Sequence, residues 1–320
     1  MNTAATAPRW DLRRHRWLLA LVFLVILFGV NGVLQPSLFS GEVLASNLTS
    51  FLPLILVAIG QTYVVLAGDI DLSAGAIIAL VNVSVVTLVE SLGGNNGAVM
   101  IAVPAGIGIG LLCGLLNGIC VAWFRFQPLV TTFATSIIFG GAALWVLPQA
   151  GGMVPESFWR TYSGSIAGVR VTFLILLVAC AMAILLARSV WYRRLLATGG
   201  NLVAAYQTGL PVASLRLSAY VISALMASIA ALCLVGETAS ADPLLGPSFT
   251  LSSVSAVVLG GTALAGGSGG VLGSILGALI LGLVNNVVFF AGLPYAMQDL
   301  VKGLIILAAL AGGVLVSRRS

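Results

Sequence analysis

Apolar runs of about 17 to 25 residues, the length that crosses a bilayer's hydrocarbon core as a helix, recur along the whole chain, broken only by short polar stretches. Charged residues make up 7% and hydrophobic residues 60%, with mean hydropathy +1.14. A soluble domain would carry about 25% charge, so the solvent of this chain is lipid. Lipid offers the backbone no hydrogen-bond partner, and the spans must therefore be helices. Read between polar breaks, they cover residues 17–34, 51–67, 72–90, 98–124, 128–147, 171–187, 215–235, 251–265, 271–290 and 300–316. The expected fold class is all-α, a polytopic transmembrane helical bundle of about 10 spans.

The net charge of +5 records orientation rather than a nucleic-acid partner. Arg9, Arg13, Arg14 and Arg16 precede the first run, and Arg318 and Arg319 follow the last, which predicts cytoplasmic N- and C-termini and an even number of spans. The same alternation puts Arg125, Arg188, Arg193, Arg194 and Arg216 inside and leaves Arg160, Arg170 and Lys302 outside. Residues 1–16 then form a cytoplasmic basic arm, and 17–320 a single transmembrane domain. No small-x-small cleavage site follows the first run, so it reads as an uncleaved span.

Cys113, Cys120, Cys180 and Cys233 sit within apolar runs and read as packing residues. His15 is the only histidine, which argues against a metal centre or an acid–base site. The sole lysine, Lys302, follows Val301 rather than a phosphate-binding glycine, so this chain is expected to bind no nucleotide and no cofactor; if ATP drives its work, another chain holds it. No catalytic residues suggest themselves, and the chain is not expected to be an enzyme.

Two stretches correspond: Gly114-Leu115-Leu116-Asn117 and Gly282-Leu283-Val284-Asn285, with Gly106 and Gly110 matching Ser274 and Ala278. One copy ends inside and the other outside, the signature of an inverted repeat with halves roughly at 51–147 and 215–316. Gly106, Gly110, Gly114 and Gly118 make a bare stripe on one helix face, either a close-packing seam or a sliding surface. Asn117, Asn285 and Asn286 read as interhelical hydrogen-bonding groups or as lining of a translocation path. Asp69 and Asp71 interrupt the apolar pattern at the cytoplasmic end of the second span; they can cap or charge-complement the next helix, or couple transport to an ion. In the loop 188–214, Asn201 is an N-cap, 202–208 make two helical turns, and Gly209 with Pro211 stop them. A short capped helix at the membrane surface is either a plain connector or a docking element for a cytoplasmic partner.

Gly68-Asp69-Ile70-Asp71-Leu72-Ser73-Ala74-Gly75, Gly114-Leu115-Leu116-Asn117-Gly118, Thr198-Gly199-Gly200-Asn201 with Ala204, Ala205 and Gly209, and Gly260-Gly261-Thr262-Ala263-Leu264-Ala265-Gly266-Gly267 give the chain a family likeness. Along nearly its whole length it resembles the ribose-type permeases of bacterial ABC sugar importers. The resemblance implies a multi-pass inner-membrane subunit that pairs with a second permease copy or paralogue, with cytoplasmic ABC ATPase subunits beneath it and a periplasmic sugar-binding protein above. It implies that Gly199, Gly200, Asn201, Ala204, Ala205, Tyr206, Gly209 and Pro211 belong to the coupling helix that contacts the ATPase, and that the cargo is a monosaccharide or related polyol. Leu202, Val203 and Tyr206 stand where many relatives carry charge, Ser268 where they are often basic, and Asp69 where a small residue is commoner. The alternatives are a branched-chain amino acid or nucleoside ABC permease, and a proton- or sodium-driven carrier using Asp69, Asp71 or Asp299.

Overall fold

The computed structural model describes residues 17–292 and isolated positions from there to Leu307. The basic arm 1–16, Asp299, Lys302, the C-terminal arginines and most of the expected span 300–316 lie outside the described residues. Twelve helices follow in order among those described: α1 (Trp17–Leu34), α2 (Gly41–Leu66), α3 (Ala74–Ser91), α4 (Asn96–Ala122), α5 (Pro128–Val146), α6 (Glu156–Ser163), α7 (Val171–Arg188), α8 (Val190–Gly200), α9 (Leu202–Gln207), α10 (Val212–Thr238), α11 (Gly246–Leu259) and α12 (Val271–Phe290). A 3-10 turn, Pro36–Phe39, joins α1 to α2, and the two-residue strands β1 (Ser165–Ile166) and β2 (Val169–Arg170) form a hairpin whose turn residues, Ala167 and Gly168, both take positive φ.

Helix ends follow the local chemistry. Ser40, Asn95 and Ser189 cap α2, α4 and α8 by accepting from the backbone N–H three residues on, and Pro128 opens α5. Ala239 ends α10 in the left-handed conformation, and Gly261, at φ +83°, does the same after α11.

Among the described residues eight helices are long and apolar enough to cross a membrane. Of these, α2, α3, α10 and α12 form an inner layer, 50 to 72% buried, and α1, α4, α5 and α7 an outer one at 11 to 28%. From the inner layer α10 packs on α2 and α3 and on the outer α4; correspondingly, α12 packs on α2, on the outer α1 and on α11. The bare Gly106–Gly118 stripe of α4 is where α3 and α10 approach: a Cβ on Gly110 would lie 1.9 Å from Ser228 Oγ, and one on Gly114 2.4 Å from Ala224 Cβ.

The apolar run 251–265 does not make one continuous helical span. Its helix, α11, has 14 residues, about 21 Å, and stops at the glycine pair Gly260-Gly261. The segment before it starts beside α6, where Gly151 and Ala241 bridge, and reaches the start of α3, where Gly246 and Gly75 meet backbone to backbone. The segment after it folds back as a glycine-rich turn, 260–270. The segment is thus part non-helical chain and part short helix, and the sequence's apolarity hid the division.

Two ends of the bundle can be told apart. At one lie α6, the hairpin and the exposed acids Glu42, Glu90, Glu156 and Glu237; at the other lie α8, α9 and the exposed Arg125, Arg188, Arg193 and Arg194.

Candidate functional site

At the α9 end the chain between α2 and α3, residues 67–73, leaves helical geometry: Ala67 caps α2, Gly68 turns at φ +89°, and α3 begins after Ser73. Backbone groups freed inside a bundle must find partners there. Side chains from three helices supply them, and two further helices bond the side chains of the break. Thr132 of α5 accepts from Leu72 N–H at 3.0 Å and reaches Ile70 O at 3.2 Å; Thr250 of α11 accepts from Gly75 N–H at 3.1 Å. Gln61 of α2, in the amide orientation that satisfies both its atoms, donates to Asp71 O at 3.3 Å and accepts from Asp71 N–H at 3.2 Å. Asn117 of α4 donates to Ser73 Oγ at 2.7 Å, and Ser223 of α10 donates to the Asp71 carboxylate at 3.3 Å.

Asp71 is buried and turns back on its own chain, accepting from Ser73 N–H at 2.8 Å and Ser73 Oγ–H at 2.6 Å at the start of α3. Asp69 makes no such cap. Its two carboxylate oxygens take hydrogen bonds from Arg216 Nε at 2.9 Å and Nη2 at 2.7 Å, a bidentate pair whose side chains are 4% and 9% exposed. The rule that sorts basic residues by side grouped Arg216 with Arg188, Arg193 and Arg194; those three are exposed, whereas Arg216 is buried one turn into α10, where Nη1 also approaches Val121 O at 3.5 Å. The partner of Asp69 lies 147 residues away, and no local spacing announces it.

Three of the glycine motifs converge beside this break. Gly267 N–H donates to Leu66 O at 3.1 Å. A Cβ on Gly199 would lie 1.9 Å from Leu66 O and 2.8 Å from Gly267 N; one on Gly266 would lie 2.7 Å from Gly68 Cα, and one on Gly267 2.5 Å from Gly200 Cα. Only residues without a Cβ permit this contact of backbone on backbone, and Gly68, Gly266 and Gly267 also take positive φ.

On this platform stands α9. Asn201 accepts from Ala204 N–H at 3.0 Å as its N-cap, and Gly209, at φ +75°, ends it. Asn201, Ala204, Tyr206, Gly209 and Pro211 are exposed, as are Leu202 and Val203, whereas Ala205 faces inward at 4% exposure. Arg125, from the α4–α5 turn, lies over the Tyr206 ring at 5.9 Å. Behind α9, Trp191 donates Nε1–H to Ser218 Oγ at 2.8 Å and packs on Tyr63.

The three asparagines part company. Asn117 belongs to the break, whereas Asn286 donates to Asn47 Oδ1 at 3.1 Å and Asn285 lies half-buried, both on α12. Among the described residues no group of three or more His, Cys, Asp or Glu side chains comes together as metal ligands do.

Residues 43–310 match the family described as branched-chain amino acid transport system / permease component. Among curated proteins the chain is similar to the autoinducer 2 import system permease protein LsrC of Escherichia coli (strain K12 / DH10B), 30% identical over 93% of this chain and 87% of that one. It is also similar to LsrD of Photorhabdus temperata, 30% identical over 94% and 92%, and to the ribose import permease protein RbsC of Haemophilus influenzae, 28% identical over 91% and 90%. A bundle of apolar spanning helices and a family match over most of the length lead to one statement: the chain belongs to the branched-chain amino acid transport system / permease component family, as a multi-pass transport subunit of the inner membrane.

Proposed function

We propose that this subunit carries a monosaccharide or a related small polyol inward as the permease of an ABC importer, with ATP bound by separate ATPase subunits, a periplasmic binding protein delivering the cargo, and a second permease copy or paralogue completing the path. The observation that carries the reading is α9: a short, capped helix with exposed Leu202, Val203 and Tyr206, mounted on a rigid glycine platform at the end of the bundle where exposed arginines gather. A helix offered in that way suits a cleft on a cytoplasmic ATPase, and the arginines favour that end as the cytoplasmic one. Gly199, Gly200 and Ala205 then serve as its mount rather than its contact face.

The cargo class rests on the printed names of the relatives, autoinducer 2 and ribose permeases. An uncharged cargo also suits the interior: Asp69 is neutralised by Arg216 and Asp71 is bound to Ser73 and Ser223. A carrier coupled to protons or sodium would want one of these carboxylates free. The inverted repeat draws support from packing, since α4 lies on α3 and α10 as α12 lies on α11 and α2, with Gly75 and Gly246 meeting where the halves join. Ten crossings with both termini cytoplasmic fit this arrangement.

The test is uptake of labelled pentoses and hexoses, ribose first, into proteoliposomes holding this chain with its ATPase and binding protein. Uptake that requires all three and ATP supports the importer; uptake driven by a proton or sodium gradient without the ATPase overturns it.

A further inference from the structure

Both ends of α9 are tied to the same short piece of chain. Before α9, Gly199 is locked against the carbonyl oxygen of Leu66, the last residue of α2; after it, Arg216 is bonded to Asp69 through two hydrogen bonds. Between α9 and α10 the chain turns through residues 208–211, held by Gly209 N–H to Tyr206 O and Leu210 N–H to Ala205 O, both at 3.1 Å, and Arg216 follows just past the first turn of α10, so a displacement of α9 is passed on to the guanidinium. Asp69 in turn is two residues from Asp71, whose carboxylate holds Ser73 at the start of α3. The path runs from α9 through the hydrogen-bonded turn 208–211 to Arg216, across the ion pair to Asp69, along the non-helical backbone through Ile70 to Asp71 and Ser73, and into α3, which reaches the far end of the bundle at Ser91.

We infer that Asp69 and Arg216 are positioning residues for transport: the pair is the tie that transmits movement of α9 to α3 across the break at 67–73. The inference rests on the importer reading above. A buried pair of this kind is weak evidence for stability, because apolar residues of similar volume commonly serve as well; what they cannot do is resist being pulled apart along a defined direction. Lysine at position 216 would keep the charge but lose the bidentate grip.

The experiment uses the complete transporter with its ATPase, carrying Ser91→Cys in a background whose native cysteines are replaced, and reads the rate at which a membrane-impermeant maleimide labels position 91 with and without ATP. No cargo needs to be known. In the parent we expect ATP to change the labelling rate by about threefold or more, and in Asp69→Leu/Arg216→Met the change is lost while ATP hydrolysis stays within about twofold. Arg216→Lys, which leaves the buried charge paired and serves where the double variant does not assemble, shows a change reduced by about half or more. A parent-like ATP response in an assembled double variant, or in Arg216→Lys if the double variant does not assemble, overturns the tie. A parent that hydrolyses no ATP with any partner ATPase overturns the importer reading instead, so the two failures are distinct.

Discussion

Gly199 and Leu66 touch so closely that a Cβ on the glycine would lie 1.9 Å from the leucine's carbonyl oxygen. Leu66 ends α2 and Gly199 lies in the last turn of α8, so this contact fastens the surface loop to the inner layer. The opposing atom is backbone and cannot rotate away. Gly199→Ala is therefore expected to lower stability by about 1–3 kcal/mol, as overpacking does, whereas Gly200→Ala, whose Cβ would have its nearest neighbour at 4.0 Å, stays close to the parent. Thermal unfolding of the two purified variants in one detergent checks this; equal melting points would contradict the interlock.

The stripe on α4 gives a second prediction because its glycines oppose different atoms. At Gly110 the obstacle is the Ser228 hydroxyl, at Gly114 the Tyr220 carbonyl oxygen at 2.8 Å as well as Ala224 Cβ. Gly110→Ala should be substantially rescued by Ser228→Ala, while Gly114→Ala with Ala224→Gly should recover less. A double-mutant cycle on unfolding free energy measures both, with a coupling of about 1 kcal/mol expected at the first pair.

Asn117 and Asn285 occupy matching places in the two similar stretches, yet only Asn117 donates to the break, through Ser73. Oδ1 of each has no hydrogen-bond partner among the described residues, so the bond that Asn117 Nδ2 donates is the difference between them. Asn117→Ala should cost about 1 kcal/mol and Asn285→Ala about half of that or less, measured by denaturant titration in micelles. The reverse order would contradict the geometry.

Val203→Arg and Ala205→Arg should fail differently. Val203 is 65% exposed and Ala205 4%. The first variant should keep its melting point within about 2 °C and lose transport by about tenfold, since an exposed substitution touches only a partner. The second should lose stability as well, because arginine cannot fit the inner face of α9. Parallel melting curves and uptake rates separate the two outcomes.

Much of this was legible in the sequence, and the parts that were not share a cause. Long apolar runs with polar breaks locate α1, α4, α5, α7, α10 and α12 to within a few residues because each is a continuous span. The caps and stops of α9, Asn201 and Gly209, are local chemistry and were readable as such. The run 251–265 misled because apolarity reports burial and not continuity; the Gly260-Gly261 pair was the available signal that the helix ends. The Asp69–Arg216 pair and the meeting of Gly68, Gly199 and Gly266 join residues far apart in the chain. Periodicity carries no information about such contacts, and Asp69 read as a cap or an ion-coupling group rather than as half of an ion pair.

The central claim is that α9 meets an ATPase on the cytoplasmic side, and the most direct measurement is cross-linking from Val203→Cys, with Cys113, Cys120, Cys180 and Cys233 replaced, in membranes that contain the whole transporter. The account predicts an adduct between position 203 and the ATPase whose yield changes with ATP, and none from Thr161→Cys in α6 at the opposite end. An ATPase adduct from position 161 but not 203, or labelling of position 203 from the periplasmic side of intact cells, would contradict it.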